Sequence, residues 1–194
     1  GFANENGKTY IEWLFKRATG FMDVVAYTGD GTTPRNITHN LGVVPEFIVT
    51  KRRDVGGSWA VYNPDLGITS SSGIRLNTDD GSGYNQLSRY PSTPTSTVFT
   101  VGNDSDVNSS SNTFVSYLFA TVAGVSKVGS YTGTAATLNV DCGFTAGARF
   151  ILIKRYGSAG DWYTYDSARG IVAGNDPYLL LNTTGAEVTN TDYI

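Results

Sequence analysis

The sequence predicts an all-β chain made of tandem β-sandwich, jelly-roll-like units. Three observations carry that expectation. Charged residues are only 16 % of the 194 positions while glycine alone supplies 23, a turn-rich composition that suits short strands better than packed helices. Apolar residues recur with period two, as in Val115, Tyr117 and Phe119, the pattern of a strand with one buried face. The chain also repeats itself: "TYIEWLFKRATGFMDVVAYTG" from Thr9 and "TFVSYLFATVAGVSKVGSYTG" from Thr113 align without a gap, offset by about 104 residues.

The repeat sets the expected organisation. Thr9/Thr113, Leu14/Leu118, Phe15/Phe119, Gly20/Gly124 and Tyr27/Tyr131 coincide. "TKRRDVGGSWAVYNPDLG" from Thr50 and "IKRYGSAGDWYTYDSARG" from Ile153 share Lys-Arg, a glycine-bearing stretch, Trp, a Tyr three residues later and a closing Gly. "LNT" at Leu76 returns at Leu181. One unit then spans 21–124 and a second 125–194, short of its last third. Residues 1–20 have the sequence of that missing third, the closing strand of a preceding or incomplete unit. Because the pattern starts and stops in mid-unit, a fragment of a longer polypeptide is expected, with a preceding unit as the favoured partner of residues 1–20. The second unit and a neighbouring chain are the alternatives.

Within each unit about seven short strands are expected. "TYIEWLFKR" reads as one, with Ile11, Trp13 and Phe15 buried. "EFIVTKRR" and "RFILIKRY" are β-branched and aromatic runs, and "DVGGS" and "GSAGD" are turn chemistry. With Asp54–Ser58 as the loop, Arg53 faces Trp59, Lys51 faces Val61, and Tyr156 faces Trp162 in the second copy. These cross-strand contacts make structural hairpins. Their exposed aromatics and cations, namely Trp59, Tyr62, Trp162, Tyr165, Arg52 and Arg155, are also candidates for stacking on a glycan.

No catalytic, cofactor or metal site emerges. His39 is the single histidine and Cys142 the single cysteine, at equivalent turns of the two units and without a second ligand of either kind. The acids Asp65, Asp79, Asp80, Asp104, Asp106, Asp161, Asp166 and Glu187 stand mostly among turn residues. No acid pair is retained across the copies, and Asn63 corresponds to Asp166. "DSDVN" at Asp104–Asn108 starts like a calcium loop but lacks its Gly and has Val115 at the bidentate Glu position. A net charge of -3 and a pI of about 5.0 give no broad footprint for nucleic acid. No apolar run reaches a membrane span.

"PEFIVTKRRDVGGSWAVYN", "STPTSTVFTVGNDSDVN", "TFVSYLFATVAGVSKVGSYTG" and "RFILIKRYGSAGDWYTYDSARG" together resemble the repeated domain of tail-fibre and virion structural proteins of marine tailed phages, including phages of cyanobacteria. The resemblance covers nearly the whole chain and the order of its motifs. It departs at "THNLG", which the second copy replaces with "VDCGF". It implies a non-enzymatic structural or adhesion module of a phage tail, assembled in the host cytoplasm and located in the virion. The implied partners are further copies of the chain, most simply as a trimer, other virion tail proteins, and a host surface glycan or receptor. A glycan-binding or glycan-degrading tail domain is the alternative, and a bacterial surface adhesin of similar architecture a third reading. The repeated positions are Gly, Trp, Tyr and Lys-Arg rather than acids, which favours the first.

Overall fold

A computed structural model describes residues 3–194 and shows a nearly all-β chain with antiparallel pairing. Strands β1 (Met22–Thr28), β2 (Arg35–Thr38), β3 (Phe47–Arg52), β4 (Trp59–Tyr62) and β5 (Ile74–Arg75) come first. A single helical turn α1 (Gln86–Arg89), strand β6 (Val98–Val101), a second turn α2 (Ser105–Asn108) and β7 (Thr113–Phe119) follow. After a long irregular stretch come β8 (Phe150–Lys154), β9 (Trp162–Asp166) and β10 (Tyr178–Leu180). Residues 21–124 thus carry seven strands and residues 125–194 three, where about seven were expected in each unit.

The strands form sheets in the orders β1-β7-β3-β4-β5, β2-β6 and β10-β9-β8. β7 runs between β1 and β3, with Met22 and Phe47 both opposite Phe119. Its alternation of apolar residues becomes an alternation of faces. Phe114 and Leu118 are fully buried, whereas Val115, Tyr117 and Phe119 are half-buried on the other side. The buried face meets β2-β6 across a core of Ile48, Ala60, Tyr62 and Leu118 against Ile37, Phe99 and Val101, closed by Tyr90 and Val107. Each large side chain removed from water there stabilises the fold by roughly 1.5–3 kcal/mol. Thr50, also buried, is bonded through its hydroxyl to Ser116 at 2.7 Å and Tyr90 at 2.8 Å, which satisfies polar atoms that would otherwise be costly inside.

The opposite face is covered by the second sheet. Val49, Val61 and Ile74 pack with Trp162, flanked by Phe47, Trp59, Leu66, Leu76 and Leu152. Three layers result, with the five-stranded sheet in the middle. The hairpin of β8 and β9 is also tied to the loop after β5, where Ser82 N–H donates to the Tyr156 carbonyl at 2.6 Å and Gly160 N–H to the Asp79 carbonyl at 2.7 Å.

Several expectations are corrected. Residues 9–17 form no strand; Ile11 and Phe15 are 38 % and 47 % exposed, and Trp13 is half-buried. The segment aligns with β7 and shares its alternation, but β7 owes its ladder to β1 and β3 on either side, and residues 9–17 have no strand flanking them to satisfy their backbone groups. Trp13 and Phe15 reach Phe150, with ring centroids 5.2 and 6.2 Å apart, and Phe15 also stands 5.7 Å from Phe119, so the segment contacts both β8 and β7 of the same chain. Residues 127–149 carry no strand either, and Tyr131, the counterpart of Tyr27 in β1, is exposed. The hairpin registers shift by two: Lys51 pairs with Trp59 and Lys154 with Trp162. The hairpin loops therefore begin at Arg52 and Arg155, and the cation beside each indole is a lysine.

Candidate functional site

The two Trp hairpins share a set of contacts. Lys51 Nζ donates to the Gly57 carbonyl at 2.6 Å and stands 5.8 Å from the Trp59 ring. Lys154 Nζ donates to the Gly160 carbonyl and stands 6.0 Å from Trp162. Arg52 and Arg155 donate across their turns to the carbonyls of Gly56 and Ala159. The backbone N–H of Trp59 donates to Asn77 Oδ1 and that of Trp162 to Asn182 Oδ1, each at 2.8 Å. The Trp59 carbonyl accepts from Leu76 N–H at 3.0 Å and the Trp162 carbonyl from Leu181 N–H at 2.9 Å. After each strand a short 3-10 turn, Pro64–Leu66 or Ser167–Arg169, is capped by the side chain of Asn63 or Asp166. The repeated Lys-Arg, Trp and "LNT" residues are thus the ones that lock a three-stranded element together.

The environments of the paired residues differ. Trp162 is 3 % exposed and its indole N–H donates to the Arg75 carbonyl at 2.8 Å. Tyr62 is buried against Tyr90, and Tyr165 lies beside Tyr163 and Tyr178. Burial pushes the Tyr165 phenol well above its usual range, with neighbouring tyrosines and Asp176 acting in the same direction. These three rings face protein and have no face to offer a sugar. Arg155 is exposed and Arg52 half-buried, both engaged by their own turns. Trp59 lines an open cleft of about 200 Å³ with Leu76, Asn77 and Leu181.

The buried acids serve other ends. Asp106 accepts from Arg89 at 2.8 Å and Arg75 at 3.2 Å, and its other oxygen accepts from Ser58 N–H at 3.2 Å. Tyr84 covers both guanidiniums, 3.8 Å from Arg75 and 4.9 Å from Arg89. Asp104 caps α2 through the Asp106 N–H. The "DSDVN" acids are therefore committed to a cap and to two arginines. Asp23 accepts from Asn40 N–H at 2.7 Å, Val24 N–H at 2.9 Å and Arg17. Burial works to raise its pKa, and these donors outweigh it and hold the carboxyl below its usual range. Asp23 lines a second cleft of about 270 Å³ with Arg17, Ala18, Thr19, Met22 and Asn40. Asp176 accepts from the backbone N–H groups of Tyr193 and Ile194, each at 2.8 Å. His39 has both ring nitrogens occupied: Nε2–H donates to the Thr95 carbonyl at 3.1 Å and Nδ1 accepts from Leu41 N–H at 3.2 Å. Cys142 lies half-buried in the irregular stretch.

Sequence reasoning missed the Arg75–Asp106–Arg89 cluster, whose members read as turn and surface charges. It also missed the bond from Trp13 Nε1–H to Asp166 Oδ2, 2.8 Å across 153 positions. Among the described residues no group of three or more His, Cys, Asp or Glu is placed to hold a metal ion, and no helix is long and apolar enough to cross a membrane.

Residues 1–194 match, over their whole length, the family described as a domain of unknown function, DUF7483. The chain belongs to the DUF7483 family. No curated protein and no solved structure matches it. In this DUF7483 chain the aromatic and basic residues of the repeated frame mostly build the fold, and Trp59 borders the cleft beside Leu76, Asn77 and Leu181.

Proposed function

We propose that this DUF7483 chain is a non-enzymatic structural or adhesion module of a bacteriophage tail fibre or related virion appendage, working as a homo-oligomer, most simply a trimer, beside other tail proteins. The single observation that carries the non-enzymatic reading is the occupation of the buried carboxylates. Asp23, Asp106, Asp166 and Asp176 each accept hydrogen bonds from backbone N–H groups, arginines or an indole that join separate segments. Glycoside hydrolysis needs two carboxyls facing one bond, about 5–10 Å apart and free to exchange protons. Acids used as clamps support a role in holding shape. The motif resemblance to marine phage tail proteins supplies the setting.

A second reading is favoured by the Trp59 cleft. There the module contacts a host surface glycan, with the indole stacking on a sugar ring and the Asn77 amide hydrogen-bonding its hydroxyls. The test incubates the purified protein with host polysaccharides and follows both reducing ends and bound sugar. The account expects no reducing ends; if any binding occurs, it falls away in Trp59→Ala. Turnover abolished by replacing one carboxylate would overturn the non-enzymatic reading. Binding unchanged in Trp59→Ala would overturn the cleft.

A further inference from the structure

We propose that the Phe150–Asp166 end of the β8–β9 hairpin is the docking surface for residues 9–17 of the same chain, and that Trp13 with Asp166 forms the address that sends the segment there. The first unit supplies the comparison. On β3 the position beside Phe47 is taken by β7, with Phe119 directly opposite and the two rings 6.2 Å apart. β8 carries Phe150 where β3 carries Phe47, and it is an edge strand, paired only with β9. Phe15, which aligns with Phe119, lies 6.2 Å from Phe150. Phe15 thus touches Phe150 as Phe119 touches Phe47, without a ladder, and it also stands 5.7 Å from Phe119 and 6.4 Å from Phe21.

The two places where this contact departs from the repeat account for one another. Asn63 caps its 3-10 turn by accepting from Asp65 N–H at 2.9 Å, and one amide oxygen is enough. Its counterpart Asp166 accepts from Ala168 N–H at 2.7 Å through Oδ1 and from the Trp13 indole at 2.8 Å through Oδ2. Two acceptor oxygens are needed, and only a carboxylate has them. The indole is the matching change, since Trp13 stands where β7 has Tyr117. Trp13 also meets Phe150 edge-on at 5.2 Å. A strand-like segment that finds no ladder is therefore held by side chains, and the address is a charge-assisted hydrogen bond that the first unit has no residues to make.

The test uses Asp166→Asn, which retains the capping oxygen found naturally at Asn63 and removes the second acceptor. Proton exchange of the Trp13 indole N–H is followed by NMR together with that of the Ala168 amide and the contact between the rings of Phe15 and Phe150. The expected result is indole exchange faster by about tenfold, a weakened Phe15–Phe150 contact and an unchanged Ala168 amide. Trp13→Phe, which keeps the ring packing, is expected to weaken the Phe15–Phe150 contact as much as Asp166→Asn does, and the double variant no further. Unchanged indole exchange in Asp166→Asn, or additive effects in the double variant, would overturn the address. In a sample mixing isotope-labelled and unlabelled chains, the Phe15–Phe150 contact is expected only within one chain. Its appearance between chains would overturn docking in cis and make a second copy the occupant.

Discussion

Arg89 donates to Asp106 at 2.8 Å with only 1 % of its side chain exposed. The pair joins α1 to α2, and Arg75 and the Ser58 N–H bring β5 and the first Trp hairpin to the same carboxylate. Replacing one member of a buried pair costs about 3–5 kcal/mol, and without Asp106 the buried Arg89 keeps as an ion pair only the longer 3.4 Å contact to Asp104. Asp106→Ala is therefore expected to lower unfolding stability by about that amount in urea denaturation. A loss under 1 kcal/mol would show that the cluster is screened as a surface pair is.

Gly29 and Gly133 close the same "YTG" triplet but meet different surroundings. A Cβ on Gly29 would overlap the Ser109 carbonyl oxygen and stand 2.8 Å from the Phe114 ring, whereas one on Gly133 meets nothing within 4 Å. Gly29→Ala is expected to cost about 1–3 kcal/mol or more, and Gly133→Ala to stay within about 0.5 kcal/mol. Equal effects in thermal unfolding would contradict the placement of the second copy's irregular stretch.

The two repeated tryptophans are expected to separate in the same way. Trp162 fills the space between the sheets, so Trp162→Ala should cost about 3–5 kcal/mol. Trp59 borders an open cleft, and Trp59→Ala should cost less than half as much in the same denaturation experiment.

Acid should unfold the chain in two stages. Burial keeps the His39 pKa below its ordinary 6.5, against the pull of the Thr95 carbonyl and of Asp23, which act to raise it. Its contribution to stability is complete above pH 6.5 and declines below, as the unfolded imidazole takes a proton that the folded one resists. Asp23 and Asp166 are held below 3.8, where burial acts to raise them and hydrogen-bond donors prevail. Their contribution is present above 3.8 and is lost as the pH falls from there through the folded values. The urea midpoint should decline gently below pH 6.5 and steeply below about pH 4. His39→Gln should remove the first decline alone, and its persistence would show that another group is responsible.

The sequence made the sheets legible where a strand has a partner on either side. β3 and β7 follow from β-branched and aromatic runs, and the shared frame of the hairpins from Lys-Arg, Trp and the asparagines of "LNT". The same logic failed at residues 9–17, whose alternation is as good as that of β7, because a pattern specifies a face and not the neighbour that completes the ladder. It also misplaced the hairpin registers, since turn residues mark a loop without fixing its ends. Of the candidate site, Trp59 was legible, but that Trp162, Tyr62 and Tyr165 are covered follows from one sheet lying on another. The buried charges were hidden because Arg89 and Asp106 are separated by a strand and two turns and look like surface residues until the chain folds. The change from Asn63 to Asp166 was visible, and its reason, the Trp13 indole, was not.

The central claim, that the chain is a structural part of a phage tail, is tested most directly by electron microscopy of purified phage particles that encode it, labelled with a gold-conjugated antibody raised against residues 1–194. The account predicts label on the tail or its fibres in intact particles. Unlabelled particles, with the chain found only in the lysate of infected cells, would contradict it.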